Sequence, residues 1–302
     1  MKAVSKQWLL LVTVPLVVIG LLYVLPVANL VRISFAKYDP TIGAIPDYYL
    51  DNYMTLAVDG FFYEVLWRTI KCSIFAMVAC IFLGYPIALY IVSARGWRQT
   101  ALFIVLLMPL VTSVTVMSYG WLILLGRNGA VNQIMQFLHL TETPLQLMQN
   151  ETAIVVGLVH ILVVFMVISV AASLQSINPA LVLAARSLGA TPWTAFRTVI
   201  LPLSLPGLKS GSLLVFALSM SAYATPALLG GARNKFLSYL VYQQSVSLYN
   251  WPMGAAMAVL LLIATTLLIV ALALVERFRR LRTDSRARQA VNLAFAKQGA
   301  TV

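Results

Sequence analysis

The chain carries very little charge. Only 10% of its 302 residues are Asp, Glu, Lys or Arg, whereas 61% are hydrophobic and the mean hydropathy is +0.90. Ordinary soluble domains contain about 25% charged residues, so this balance excludes a soluble globular protein. It predicts a polytopic membrane protein built from α-helices.

Cysteine is nearly absent, and the two cysteines, Cys72 and Cys80, fall in the same apolar run. Their eight-residue separation corresponds to about 12 Å along a helix. That distance is too long for a disulfide, so the pair indicates nothing about the redox compartment. We interpret both as small apolar side chains that fill the interior of a span.

Motifs of membrane-embedded catalysis are also missing. The sequence contains no HExxH, no GxSxG and no paired aspartates inside an apolar run, so it presents neither a nucleophile nor a metal set. Paired intramembrane carboxylates and inverted repeats, which would favour an ion-coupled secondary transporter, are not visible either. The chain is therefore not predicted to be an enzyme, and a secondary transporter remains only as an alternative.

Long apolar runs dominate what is present. Each is long enough to cross a hydrocarbon core of roughly 30 Å as a helix. An even number of spans places both termini on one side of the membrane. Six runs are predicted, near residues 8–31, 69–93, 101–125, 153–175, 207–229 and 254–275.

The distribution of basic residues predicts which side holds the termini. With both ends inside, the inner segments hold 14 of the 21 Lys and Arg residues and only two acids, Glu276 and Asp284. Cytoplasmic segments are normally enriched in Lys and Arg, so the orientation is N-in and C-in. Residues 1–280 are predicted to form one transmembrane domain and residues 281–302 a basic cytoplasmic tail. We interpret the tail as a contact for anionic lipid rather than for nucleic acid.

The first outer loop contains acids that are candidates for receiving a cationic solute. Asp59 and Glu64 lie where the apolar spacing of residues 53–70 predicts an amphipathic helix at the outer interface. Ordinary solvated loop charges are the alternative for both residues. Arg68 and Lys71, which follow, are interpreted as side chains that reach towards lipid headgroups.

The longest inner loop, about residues 176–205, is predicted to fold as two short helices. Asn178-Pro179 and Thr191-Pro192 each place a side-chain acceptor before a proline, the pattern of an N-cap and first helical residue. Gly189 can close the first helix in the left-handed conformation. Pro202 and Pro206 are expected to limit the second helix.

The first of these helices, PALVLAARSL, is apolar on nearly every side. Exposed to the cytosol, such a helix would promote aggregation unless another protein covered it. The apolar surface of this helix therefore indicates a partner subunit. The alternative is that the loop packs beneath its own bundle.

The same segment, LAARSLGATPWTAFRTVILPLSLPGL, resembles the loop of binding-protein-dependent ABC importer permeases of type I. Ala184, Ala185, Gly189 and Pro202 occupy the positions of the signature, whereas Leu183 stands in place of its glutamate. The segments LGYPIALYI, LSMSAYATPALLGG and NWPMGAA resemble the spermidine/putrescine-type branch of that family.

The resemblance implies a permease subunit in the bacterial cytoplasmic membrane that forms half of a solute pathway. Expected partners are a cytoplasmic ABC ATPase dimer, a second six-span permease, and a periplasmic or extracellular solute-binding protein. The chain has no GxxxxGK[ST] loop, so ATP and Mg²⁺ would be bound by the ATPase and this chain would hold no cofactor. The expected solute is a polyamine; aminoethylphosphonate, thiamine and iron are alternatives. The resemblance assigns ATPase coupling to Leu183, Ala184, Ala185, Arg186, Leu188, Gly189, Ala190, Pro192, Phe196 and Pro202.

Polar and aromatic side chains within the spans are candidates for the solute path, because such groups are costly in lipid and usually face a cavity or another helix. Aromatic faces attract ammonium groups by about 0.5–2 kcal/mol each. Helix packing is the alternative for the hydroxyl residues, and a bond to a neighbouring helix is the alternative for the histidine. The candidates are Tyr119, Trp121, His160, Ser219, Tyr223 and Thr225.

Overall fold

The computed structural model describes residues 6–45 and 48–274. The predicted basic tail, residues 281–302, lies outside this part of the chain. The backbone contacts divide the chain after Leu261, within its last helix, into a unit of residues 1–261 and a unit of residues 262–302.

Helices make up most of the described residues, and one small antiparallel hairpin pairs Lys37 with Ile45. The hairpin is the only departure from an all-helical architecture within the described ranges. The elements are α1 (Lys6–Ser34), β1 (Lys37–Asp39), β2 (Gly43–Ile45), α2 (Asp51–Val58), α3 (Gly60–Ser93), α4 (Trp97–Val111), α5 (Val114–Leu125), α6 (Ala130–Phe137), α7 (Glu151–Gln175), α8 (Pro179–Ser187), α9 (Pro192–Ala195), α10 (Leu201–Ser221), α11 (Ala224–Leu229), α12 (Leu237–Tyr242) and α13 (Trp251–Leu274).

Five helices in the described part of the chain are long and apolar enough to cross a membrane. A sixth crossing results when α4 and the segment Val114–Phe137, which meet at an angle of 98°, count as one broken span. Helix α3 has 34 residues and is therefore about 51 Å long. This exceeds a hydrocarbon core of roughly 30 Å, so the first turns of α3 extend beyond it on the outer side.

The third span is not continuous as predicted for residues 101–125. Helix α4 ends at Val111, and Thr112 adopts an extended conformation. The Thr112 hydroxyl donates to the Met108 carbonyl at 3.1 Å, which in a continuous helix would accept from the Thr112 backbone N–H. The side chain thus replaces the backbone donor at the point where the helix breaks.

The fifth span, predicted as residues 207–229, is also broken. Helix α10 ends at Ser221, Ala222 is extended, and α11 begins at Ala224. Pro226 has no N–H for the Ala222 carbonyl, and the Ser238 hydroxyl donates to that carbonyl at 2.5 Å instead. A bond from a distant part of the chain therefore stabilises the break.

The expectation that Pro202 and Pro206 limit the second loop helix is wrong. A π-helical stretch, Phe196–Ile200, joins α9 to α10, so residues 192–221 form one helical segment. In this stretch the Leu201 N–H bonds to the Phe196 carbonyl, five residues back. The wider turn accommodates Pro202, which has no N–H to continue the regular pattern.

The core of the first unit is formed by α3, α7 and α10, which pack along one another. Helix α7 is the most enclosed span, with 56% of its apolar window buried, whereas the window of α1 is 0% buried. Cys72 and Cys80 both lie in this core as free thiols, as predicted.

The outer segment predicted as one amphipathic helix over residues 53–70 divides at Asp59. Helix α2 ends at Val58, and the Asp59 carboxylate accepts from the Phe61 N–H at 2.9 Å as the N-cap of α3. The capping geometry at Asp59 turns the chain, because the residue is extended rather than helical.

Candidate coupling surface and solute path

The inner loop begins with the two capped helix starts that the sequence predicts. The Asn178 side chain accepts from the Ala180 N–H at 2.9 Å, and Thr191 Oγ1 accepts from the Thr194 N–H at 3.2 Å. Gly189 has φ +86°, and the chain closes α8 by bonds from Gly189 to Arg186 and from Ala190 to Ala185. This is the Schellman arrangement, which requires the left-handed conformation that glycine adopts readily. The two predicted helix starts and the closing turn at Gly189 are thus confirmed.

Helix α8 presents its apolar side chains to solvent. None of its residues is buried; Leu183 is 64% exposed, and Leu188, which caps the carboxyl end of the helix, is 89% exposed. Trp193, at the start of α9, is 68% exposed. The alternative that the loop packs beneath its own bundle does not hold for α8, whereas Ala195 and Phe196 in the second half of the loop do pack against the bundle. Leu181, Leu183, Leu188 and Trp193 define what we call the coupling surface.

Aromatic contacts connect the coupling surface to the membrane bundle. The Trp193 ring stacks on Phe196 with centroids 5.4 Å apart, and Phe196 meets the edge of the buried Tyr85 ring at 6.1 Å. The Tyr85 hydroxyl is in turn hydrogen bonded to Ser204 Oγ at 2.7 Å. Close-packed side chains therefore connect α9 to α3 and α10.

His160 and Trp121, two of the path candidates, contact each other. Trp121 Nε1 donates to His160 Nδ1 at 2.9 Å, and the rings meet edge to face. The histidine thus bonds to a neighbouring helix, which was the alternative to a role in the path. His160 and Tyr119 both remain exposed on the surface of this chain, so their place in the path stays a prediction.

Ser219 and Thr225 lie inside the bundle. They are 0% and 1% exposed, and Thr225 Oγ1 lies 3.2 Å from the Ser118 hydroxyl. Ser219 has no hydrogen-bond partner. Burial favours helix packing over solute contact for Ser219. Thr225 borders a cavity of about 400 Å³, so its place in the path stays a prediction.

Tyr223 lies at the break between α10 and α11 and belongs to an aromatic group. Its ring is nearly parallel to Tyr239 at 6.2 Å and lies 4.5 Å from Tyr242. Tyr223 also borders a cavity of about 400 Å³ next to Thr112 and Leu158. The two helix breaks thus face the same cavity, which is lined mainly by apolar side chains.

Glu64 belongs to a group of opposite charges at the outer end of the bundle. It pairs with Arg68, whose Nη1 also donates to the Arg233 carbonyl at 2.7 Å. Glu151, the first residue of α7, lies 3.4 Å from Arg68 and 2.6 Å from Lys71. Arg68 and Lys71 therefore pair with carboxylates, and their interpretation as side chains directed to lipid headgroups is wrong.

These contacts also make the two acids proposed to receive a cation, Asp59 and Glu64, less available to it. Asp59 caps α3, and the charge of Glu64 is offset by Arg68. The Glu64 side chain is nevertheless 63% exposed. Its role in solute entry stays a prediction. The described residues contain no group of three or more His, Cys, Asp or Glu side chains suited to a metal ion.

Comparison with known proteins decides the family. Residues 8–282 match the family of binding-protein-dependent transport system inner membrane components. The chain belongs to this family. The permease is 32% identical over 246 residues to the spermidine/putrescine transport system permease protein PotB of Escherichia coli, covering 82% of this chain and 89% of that protein. It is 30% identical to the inner membrane ABC transporter permease protein YdcU of the same organism, covering 89% and 88% of the two chains.

Solved structures confirm the fold of the permease. A crystal structure of a bacterial alginate ABC transporter in complex with an alginate pentasaccharide-bound periplasmic protein matches with a TM-score of 0.70 at 18% identity, covering 88% of this chain and 93% of that chain. The MetNI methionine ABC transporter matches with a TM-score of 0.55 at 20% identity, covering 71% and 95%. The type I importer fold predicted from the sequence is confirmed.

The permease is therefore a multi-pass protein of the bacterial inner membrane and a transport subunit rather than an enzyme. It works within an ABC importer that includes an ATPase and a binding protein. Family membership excludes the ion-coupled secondary transporter that the sequence left as an alternative.

Sequence reasoning missed the residues that combine across long separations. Glu151, Arg233, Tyr239 and Tyr242 were not singled out, although each contacts a candidate residue. No local pattern marks these residues. The single available signal was that acidic and basic residues occur together near the outer ends of α3 and α7.

Replacing Glu151 by Gln is expected to destabilise the permease, because Arg68 and Lys71 would then face each other without a shared carboxylate. The expected loss is about 1–2 kcal/mol, since the group is partly exposed. Thermal unfolding of the purified complex measures it. Glu64→Gln is the matched control and should cost less than about 0.5 kcal/mol, because Arg68 keeps its other partners. Equal effects of the two variants would contradict this assignment.

Proposed function

We propose that the permease forms one half of a heterodimeric pathway that imports polyamines such as putrescine and spermidine. The observation that carries this proposal is the similarity to spermidine/putrescine permeases, at 32% identity over 82% of the chain. The aromatic group at Tyr223 supports it, because ring faces attract ammonium ions. A relative named for molybdenum transport, at 28% identity over 68% of the chain, favours another solute less strongly.

A second permease is supported by the surface that α1 leaves uncovered. The apolar window of α1 is 0% buried in this chain, whereas that of α7 is 56% buried. The rest of this chain leaves the side chains of α1 uncovered, and contact with a span of another subunit would cover them. Helices in membranes associate through van der Waals packing of complementary surfaces, so this helix is suited to contact a partner subunit.

The charge of the solute favours a partner with a different sequence. In the described part of the chain every Asp and Glu lies in an outer segment or in the first turns of α2, α3 and α7. A cation within the membrane requires compensating groups, because isolated charges are costly there. A second copy of this chain would add none, so we assign the missing carboxylates to a distinct permease.

The coupling surface is the proposed contact for the ATPase. Leu183 and Leu188 supply exposed apolar area, and Arg186 adds a positive charge to the same helix. Closure of the ATPase would move α8 and α9 as one body, held by the turn at Gly189. Phe196 and Tyr85 then carry that movement to α3 and α10. Two alternative states of the bundle, open to either side, are the expected result.

Reconstitution tests the proposed solute. We expect ATP-dependent uptake of radiolabelled putrescine into proteoliposomes that contain both permeases and the ATPase, with the binding protein supplied. Excess spermidine should compete, whereas aminoethylphosphonate, thiamine and ferric iron should not. Omission of the ATPase is the control and should abolish uptake. Competition by one of the other three solutes, with no putrescine uptake, would contradict the polyamine assignment and leave the importer assignment intact.

A further inference from the structure

A lysine of this chain occupies an aromatic site near the break in the fifth span. Lys235 Nζ lies over the Tyr239 ring, 5.4 Å from its centroid, and donates to Gln243 Oε1 at 3.3 Å. None of the ion pairs formed by the described residues includes Lys235. The ammonium group is therefore held by a π face and a neutral amide oxygen, without a carboxylate.

The aromatic surface next to Lys235 contains more rings than the one that the lysine contacts. Tyr223 stacks on Tyr239 from another element of the fold, and Tyr242 lies against Tyr223. Tyr223 and Tyr242 are 37% and 40% exposed, so a solute can reach their rings. We call Tyr223, Tyr239, Tyr242 and Gln243 the tyrosine site. Adjacent ring faces of this kind are a recurrent way of binding an ammonium ion.

A cavity leads to the position of the lysine. Its volume is about 280 Å³, and it is lined by Lys235, Tyr239, two residues of α11 and two residues of the turn after it. Small-molecule sites usually begin at about 300 Å³, so this cavity is suited to a small solute. Because the segment between α11 and α12 connects the fifth span to the last one, it lies on the outer side, from which an imported solute arrives.

We propose that the tyrosine site binds a primary alkylammonium group and that Lys235 is its tethered occupant, displaced when the ammonium of a solute enters. The inference rests on the proposed function, because a polyamine carries such groups at both ends. A lysine side chain is itself a primary alkylammonium on a four-carbon stem, so the contacts it makes are those available to the solute. A neutral or anionic solute has no positive charge with which to replace the lysine.

Displacement predicts that loss of the lysine increases the affinity for the solute instead of decreasing it. If Lys235 competes with the solute, Lys235→Met removes the competitor and strengthens ammonium binding. The expected gain is about 5- to 30-fold, the size of one partly desolvated cation–π contact. A lysine with a purely structural role would leave affinity unchanged or reduce it, and one that binds an anionic solute would reduce it. A gain in affinity therefore separates displacement from the other two roles.

Equilibrium binding of radiolabelled putrescine to the complete importer in nanodiscs, without the binding protein, tests the proposal. Lys235→Met should bind more tightly than the wild type, and Lys235→Arg should not. Tyr239→Leu in the Lys235→Met background should remove the gain, whereas Tyr239→Phe, which keeps the ring face, should retain it. Lys37→Met is the matched control, since Lys37 lies over the Tyr49 ring at 5.9 Å, and it should change nothing.

The outcomes separate this site from the proposed solute. Putrescine uptake with no gain in affinity for Lys235→Met, or a gain that survives Tyr239→Leu, would overturn the tethered occupant and leave the proposed function standing. If putrescine is not transported, n-butylammonium replaces it as the probe in the same binding assay. A gain for n-butylammonium then supports the ammonium site without the polyamine assignment. No gain with either probe overturns the site.

Discussion

Leu188→Asp is expected to reduce uptake at least about 100-fold while the permease remains folded, because it places an unpaired charge in the proposed ATPase contact. Leu188 is 89% exposed, so the fold of this chain does not depend on it. Burial of a leucine contributes about 1.5–3 kcal/mol to an interface, and an unpaired buried carboxylate costs a further few kcal/mol. Co-purification of the ATPase with the tagged permease measures binding, and solute-stimulated ATP hydrolysis measures coupling.

Ile42→Asp is the matched control for this variant. Ile42 is 76% exposed in the outer hairpin, so the same change from an aliphatic residue to aspartate is made away from the ATPase. Membrane level, thermal stability and ATPase co-purification should match those of the wild type. Retention of the ATPase by Leu188→Asp, with normal coupled hydrolysis, would show that α8 is not the contact and would remove the coupling surface from the mechanism.

Part of the conformation of the inner loop was predictable because its determinants are local. A capping side chain acts on backbone groups two or three residues away, as Asn178 and Thr191 do. The left-handed turn at Gly189 likewise depends on one residue. Such features require only the short sequence around them, so the two helix starts and the turn between them could be placed correctly.

The helix breaks were not predictable in this way. Hydropathy remains high through Thr112 and Ala222, so composition alone indicates continuous spans. At Ala222 the carbonyl is satisfied by Ser238, which lies 16 residues further along the chain. The free energy that stabilises such a break depends on side-chain contacts of this kind, which hydropathy does not record.

Charged residues show the same limit. Arg68 and Lys71 have the spacing of side chains that reach for headgroups, and nothing near them in sequence identifies Glu151 as their partner. A carboxylate at the start of α7 meets them because α3 and α7 pack side by side, and α7 begins at the level of Arg68 and Lys71, beyond the first turns of α3. Once a carboxylate is in reach, pairing satisfies a cation better than exposure to an interface does.

Helices α7 and α10 pack closely against each other. Gly207 is buried, and a Cβ added there would overlap the Ser169 carbonyl oxygen and the Ser173 Cβ. Gly211, one turn further along α10, is also tight, since its Cβ would lie 2.9 Å from the Met166 sulfur. Small residues permit this approach of two backbones, which is the usual basis of helix association in membranes.

Gly207→Val is therefore expected to destabilise the permease by about 3 kcal/mol or more, because the overlap involves backbone atoms that no rotamer change can move. We expect a low membrane level, a reduced melting temperature of the purified complex and loss of uptake, with Gly207→Ala intermediate. Gly120→Val is the matched control, since a Cβ at Gly120 in α5 meets nothing within 4 Å. The Gly120→Val variant should keep the wild-type melting temperature. If Gly207→Val also keeps it, then α7 and α10 neither pack nor move as one unit. The coupling route must in that case run through α3 alone.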